Sequence, residues 1–218
     1  VGMTAIAIAN INDTIRVRDC LGKISLSSKH LLGLINDVLD MSKIESGKLT
    51  LNVHQLSLCE TMESIVNIVQ PQIKAKKQHF DIFINRIQTE DVYCDGVRLN
   101  QVLINLLSNA IKFTPENGSI RVYLEQESSP LGEHYIRCHF RVKDDGIGMT
   151  KEFQEQIFEK FAREQKEQVH KTEGTGLGMA ITKYIVDTMG GNIQVNSKPG
   201  EGTEFHIILD LEKAFTKE

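Results

Sequence analysis

The 218 residues exceed one typical domain and fall short of two of ordinary size, so one large or two small domains are expected. With 40% hydrophobic and 25% charged residues and only four prolines, the composition excludes collagen-like, low-complexity and wholly disordered chains. Twenty-five Lys and Arg against 29 Asp and Glu leave a net charge of −4, which offers no global field to nucleic acid, and no apolar run approaches the ~18 residues of a membrane span.

In chain order, Thr4 to Ile11 reads as a short Ala/Ile helix broken at Asn12-Asp13, two residues that favour turns. A long one-sided helix to about residue 46 follows from Leu21, Ile24, Leu31, Leu32, Ile35, Val38, Leu39 and Ile44, with Gly47 as its stop. The pair makes a helical hairpin that covers only part of its apolar stripe, and half of a dimeric four-helix bundle is the expected use of the remainder. A domain boundary is placed after residue 46. Leu49, Leu51 and Val53 alternate as a strand, and Ser57-Leu58-Cys59-Glu60 has the capping-box form that opens a helix reaching Gln70 to Lys74. Further strands are expected at Phe80 to Ile84, Val92 to Cys94, Ile120 to Leu124, Tyr135 to Val142, Ile193 to Val195 and Thr203 to Leu211. Helices are expected after the N-cap Asp95, over residues 151–161, and from Leu177 to Met189. Without strict β-α-β alternation, this mixture predicts an α+β fold: the hairpin, then an α/β sandwich of one mixed open sheet with helices on one face. Cys20, Cys59, Cys94 and Cys138 are scattered without a C-x-x-C pair, so neither zinc nor a disulfide framework is indicated and a reducing, cytoplasmic setting is expected.

Four stretches have the residue types of phosphate and purine chemistry. On the helix after Asp95, Asn105, Asn109 and Lys112 fall at i, i+4 and i+7, so one face carries two amides and an ammonium. Amide oxygens suit a hard cation such as Mg2+, and lysine suits phosphate; alone, this is also what a solvated helix face looks like. In Val142 to Met149 an acidic turn follows a strand, where a carboxylate can accept from a purine amino group, although an ordinary Asp-Gly turn has the same composition. Gly174-Thr175-Gly176-Leu177-Gly178-Met179 is a glycine loop opening a helix, where free N–H groups favour anions, and a plain flexible turn would read alike. Gly200-Glu201-Gly202-Thr203 precedes the last strand and by itself is a turn. Neither G-x-G-x-x-G nor the P-loop pattern occurs.

Taken in order, Asn105 to Phe113, Asp144 to Gly148, Phe158-Glu159-Lys160-Phe161, Gly174 to Gly178 and Gly200 to Thr203 resemble the catalytic and ATP-binding half of sensor histidine kinases, within the GHKL superfamily. Leu32 to Gly47 looks like the end of the second dimerisation helix of that family. The resemblance spans nearly the whole chain and divides it into a partial dimerisation and phosphotransfer hairpin (1–46), a catalytic ATP-binding domain (47–212) and a tail or linker (213–218). It implies that Asn109 ligates the Mg2+ bridging the ATP phosphates, that Asn105 supports it, and that Lys112 contacts phosphate. It implies that Asp144 accepts from the adenine amino group while Gly146 and Gly148 give the ring room. Residues 149–173 would be a lid, with Phe158 and Phe161 packing at its near end. Gly174, Gly176 and Gly178 would meet the phosphates, and Thr175, Leu177 and Thr203 belong to the same binding set. Implied partners are a second copy, through the hairpin, and the receiver domain of a response regulator, with any membrane attachment made by segments outside these residues.

In that family the acceptor is a histidine followed by an acidic residue and, five positions on, a proline. None of the seven histidines stands in such a run. With Val1 in place of an initiating Met, the acceptor is expected upstream, and these residues are expected to bind Mg·ATP without phosphorylating themselves. Two alternatives are a GHKL-type ATPase and a degenerate ATP-binding module. The first needs a glutamate general base one turn before the metal-binding Asn, and Asn105 stands there.

Overall fold

The computed structural model describes residues 2–163 and 174–214, in two compact units, 1–48 and 49–218. In the first, helix α1 (Gly2–Ala9) packs against α2 (Thr14–Glu45). The break between them falls where Asn12-Asp13 was expected to make it. Asp13 accepts a hydrogen bond from the Arg16 backbone N–H at 3.0 Å and so satisfies one orphan donor of α2. At the other end Gly47 takes a φ of 64°, Gly47 N–H donates to the Ile44 carbonyl and Lys48 N–H to that of Lys43, which closes the last turn. Ala7 and Cys20 are buried, while Ile15, Leu21, Leu26, Leu31, Leu32, Ile35, Val38 and Leu39 remain exposed.

The second unit runs β1 (His54–Ser57), α3 (Leu58–Ala75), β2 (His79–Asn85), β3 (Asp91–Cys94), α4 (Gly96–Phe113), β4 (Ser119–Ser128), β5 (Tyr135–Asp144), α5 (Lys151–Gln156), α6 (Gly178–Thr188), β6 (Asn192–Lys198) and β7 (Gly202–Lys213). Among the described residues the sheet has seven strands in the order β1-β3-β7-β5-β4-β2, with β6 also paired to β7. Every pairing is antiparallel except β2 with β4, so the sheet is mixed and open, as the element pattern predicts. Alternate residues of the central strands, among them Ile120, Val122, Leu124, Ile136, Phe140, Phe205 and Ile207, are buried. They form the core with the apolar faces of α3, α4 and α6, including Leu58, Ile65, Leu99, Leu103, Leu107 and Ile185. The opposite face is polar, with Arg137 paired to Asp210 and Arg141 to Glu125.

Two expected elements are displaced. The Leu49 to Val53 alternation is not a strand. The Asn52 N–H instead donates to the Asp95 carboxylate at 2.8 Å, and pairing begins only where His54 faces Cys94 of β3. A strand exists where a neighbour offers a ladder, and residues 49–53 have none. The helix expected over 151–161 stops at Gln156, because the Glu159 and Ala162 N–H groups bond three residues back and Phe161 takes a φ of 62°. No helix among the described residues is long and apolar enough to cross a membrane.

Candidate functional site

The site is built where α4 passes the N-terminus of α6 and the end of β5. Asp95 N-caps α4 by accepting from the Arg98 N–H at 3.0 Å, and the buried stripe Leu99, Leu103, Leu106, Leu107 and Ala110 fixes the helix's rotation. That rotation turns Asn105 and Asn109 toward α6. The Asn105 amide N–H donates to the Thr182 hydroxyl at 2.8 Å and to the Met179 sulfur at 3.7 Å, and the Asn109 amide N–H donates to the same sulfur at 3.3 Å.

The glycine loop meets this face at the expected residues. A Cβ at Gly178 would come within 2.6 Å of the Asn105 amide oxygen, which confines that position to glycine or nearly so, and one at Gly174 would lie 3.1 Å from the Lys112 ammonium, which can move aside. Lys112 also lies 4.9 Å from the Phe113 ring centroid. Leu177 is buried, and its N–H donates to the Thr175 hydroxyl at 3.1 Å. Gly176 sits at a φ of 72° with its carbonyl accepting from the Phe161 N–H at 3.0 Å. Phe161 is exposed and Phe158 half-buried. Of the expected lid, residues 149–163 are described and 164–173 lie outside the described residues.

The other end of the site is formed by the β5 terminus against the start of β7, where Asp144 pairs in register with Thr203. Asp144 is buried, and its carboxylate accepts from the Gly146 N–H at 2.9 Å. Burial pushes its pKa from 3.8 up to about 6, against the lowering effect of the Gly146 and Thr203 N–H groups. The glycines around it leave no room for side chains. Gly148, at a φ of 61°, would drive a Cβ into the Lys198 carbonyl, and Gly202, at 95°, into that of Asp144. A Cβ on Gly146 would lie 2.6 Å from the Phe113 carbonyl of α4.

Four supporting side chains had no sequence signal. Ser197 accepts from the Met149 N–H and hydrogen-bonds the Thr203 hydroxyl, with Gln154 bracketing the Ser197 backbone through both amide atoms. Lys76 and Gln78 grip the C-terminus of α4. The Lys76 ammonium donates to the carbonyls of Ile111, Lys112 and Thr114, and the Gln78 amide N–H to those of Ile111, Thr114 and Pro115.

A buried carboxylate stands at one end, the N-terminus of α6 without a side-chain cap at the other, and two amides with an ammonium along one flank. The family model described as histidine kinase-, DNA gyrase B- and HSP90-like ATPase matches residues 94–213, and the chain belongs to this family. Among its curated relatives are sensor histidine kinases. The sensor histidine kinase GacS of Pseudomonas protegens is 38% identical over 201 residues, covering 92% of this chain and 22% of the relative. The signal transduction histidine-protein kinase BarA of Escherichia coli is 37% identical over 196 residues, covering 89% and 21%. Among solved structures, full-length ShkA in complex with AMPPNP superposes with a TM-score of 0.74 at 28% identity, covering 91% of this chain and 40% of that one. The domain is therefore the ATP-binding domain of the sensor histidine kinase branch, and the chain spans about a fifth of the length of the curated relatives it matches.

Proposed function

We propose that this chain is the nucleotide-binding and catalytic portion of a sensor histidine kinase, which in the whole protein transfers the γ-phosphoryl group of ATP to a histidine and from there to an aspartate of a response regulator. The observation that carries this reading is the convergence of Asn105, Asn109 and Lys112 with the Gly174 to Gly178 loop, at the opposite end of the site from the buried Asp144.

In this reading the Asp144 carboxylate accepts the adenine amino N–H, while Gly146 and Gly148 let the ring approach the backbone. The N–H groups opening α6 receive the phosphates, and the Lys112 ammonium adds a point charge on the same side. Charge neutralisation at the phosphates is the chemistry that Mg2+ would supply if carried with the nucleotide. The Asn109 amide oxygen is the hard donor suited to it, because the amide nitrogen is already engaged by Met179. Asn105 stands where water activation would need a carboxylate, and an amide cannot take that proton, which favours phosphoryl transfer to a protein acceptor over hydrolysis. The exposed apolar stripe of α2, from Leu21 to Leu39, supports a second copy as the hairpin's partner.

Titration with a fluorescent ATP analogue in Mg2+ tests the reading. Saturable binding displaced by ATP is expected, with Asn109→Ala weakening it at least tenfold. Absence of displaceable binding would leave only a degenerate module.

A further inference from the structure

The contacts between α4 and α6 also decide which way round the two amides point. An asparagine side chain has almost the same shape in its two flipped orientations, so its neighbours select whether oxygen or nitrogen faces a ligand. A thioether sulfur carries no hydrogen and can only accept. The Met179 sulfur lies 3.3 Å from the Asn109 amide nitrogen, so it matches the N–H group and would oppose the oxygen. The same sulfur lies 3.7 Å from the Asn105 nitrogen, and the Thr182 hydroxyl, 1% exposed as a residue, accepts from that nitrogen at 2.8 Å. The sulfur thus holds the nitrogen of both amides on its own side, while the Thr182 hydroxyl, which can donate as well as accept, anchors Asn105 beside it. A divalent cation needs an oxygen lone pair, and a flipped Asn109 would present hydrogens to it instead.

We infer that Met179 is a positioning residue that sets the orientation of Asn109, with Thr182 anchoring Asn105 on the same sulfur, and so leaves the Asn109 oxygen free for the cation that accompanies the nucleotide. The inference rests on the reading of Asn109 as the cation's ligand. Met179 closes the glycine stretch and Thr182 lies one turn further along α6, and both act through the amides.

The test uses the 218-residue chain and the affinity of a fluorescent ATP analogue measured in Mg2+ and in EDTA. The ratio of the two affinities isolates the cation's share. Met179→Leu keeps the volume without the acceptor, Thr182→Val keeps the shape without the hydroxyl, and the two are made separately so that one failing to fold leaves the other to decide. Outer partners of metal ligands typically affect affinity by 10–100-fold, so each substitution is expected to shrink the Mg2+-dependent gain by roughly tenfold while leaving binding in EDTA within about twofold of the original. Thr182→Ser, which retains the hydroxyl, is expected to restore it. In the metal-free protein the Asn109 side-chain NH2 resonances should also move in Met179→Leu. An undiminished Mg2+ gain in both variants, with unmoved resonances, overturns the inference. An Asn109→Ala protein that keeps the full gain overturns instead the ligand role on which it rests.

Discussion

Asp144 is the residue whose chemistry is most altered by its surroundings. Its folded pKa of about 6 lies above the unfolded value, so the ionised form costs the folded state on the order of 3 kcal/mol at pH 7, a cost that disappears as pH falls through 6 toward 3.8. In the proposed reading the adenine amino group is met best by that ionised form, because the protonated carboxyl keeps only its weaker carbonyl acceptor. Nucleotide affinity is therefore expected to be level above about pH 7 and to fall, by up to tenfold per unit, as pH drops below 6, in titrations of a fluorescent ATP analogue at constant ionic strength. Asp144→Asn should bind poorly at every pH and lose this pH dependence, yet unfold no more easily than the original at pH 7. Gly148 illustrates the opposite kind of residue, one fixed by backbone space. Gly148→Ala combines a left-handed φ with a collision against the Lys198 carbonyl, and an unfolding free energy lower by about 3 kcal/mol or more is expected in denaturant titration.

At the scale of elements, α4 is the part on which the site stands, and its two ends are held differently. Asp95 caps the first turn, and Lys76 and Gln78, from the segment joining α3 to β2, cap the last. The last carbonyls of a helix carry its negative end, so an ammonium among three of them is well placed although burial lowers its pKa. Lys76→Met removes these charge-assisted bonds, and a loss of roughly 1–3 kcal/mol in stability is expected from the guanidinium midpoint at an unchanged m-value. Because Lys112 occupies the same turn, a modest weakening of nucleotide binding should accompany it. At the β5 end, the Ile147 N–H donates to the Phe113 carbonyl, so the acidic turn is tied to this helix as well.

For the whole molecule, the hairpin and the nucleotide domain make separate demands. The exposed stripe on α2 exceeds what the eight-residue α1 can cover, which is the physical reason for proposing a second copy. Sedimentation should show a concentration-dependent dimer, and Leu31→Glu with Val38→Glu should weaken it by about two orders of magnitude, given several kcal/mol for burying unpaired carboxylates. None of the seven histidines stands in the acceptor pattern that the family resemblance implies. Incubation with γ-labelled ATP is accordingly expected to leave this chain without acid-labile label, while a supplied histidine-bearing hairpin would provide the acceptor.

Local chemistry was readable from the sequence alone. The helix breaks at Asn12-Asp13 and Gly47, the Ser57 and Asp95 caps, and the alternation of β4, β5 and β7 all depend on residues a few positions apart, and the structure shows them where the sequence predicts. The motif residues were readable for the same reason, since a glycine at a positive φ or an amide one helical turn from another announces itself within one segment. What needed the tertiary structure was everything set by partners distant in the chain. The start of β1 depends on β3 across 40 residues, and Leu49 to Val53 misled because alternation records a pleat's preference without its neighbour. Thr182 lies 77 residues from the amide it receives, Met179 74 and 70 from the two it serves, and Gln78 33 from a carbonyl it caps. Those side chains are ordinary residues on their own helix or loop. Only the packing of α6 and the α3–β2 segment against α4 brings acceptor to donor, and that packing is chosen by the whole apolar core.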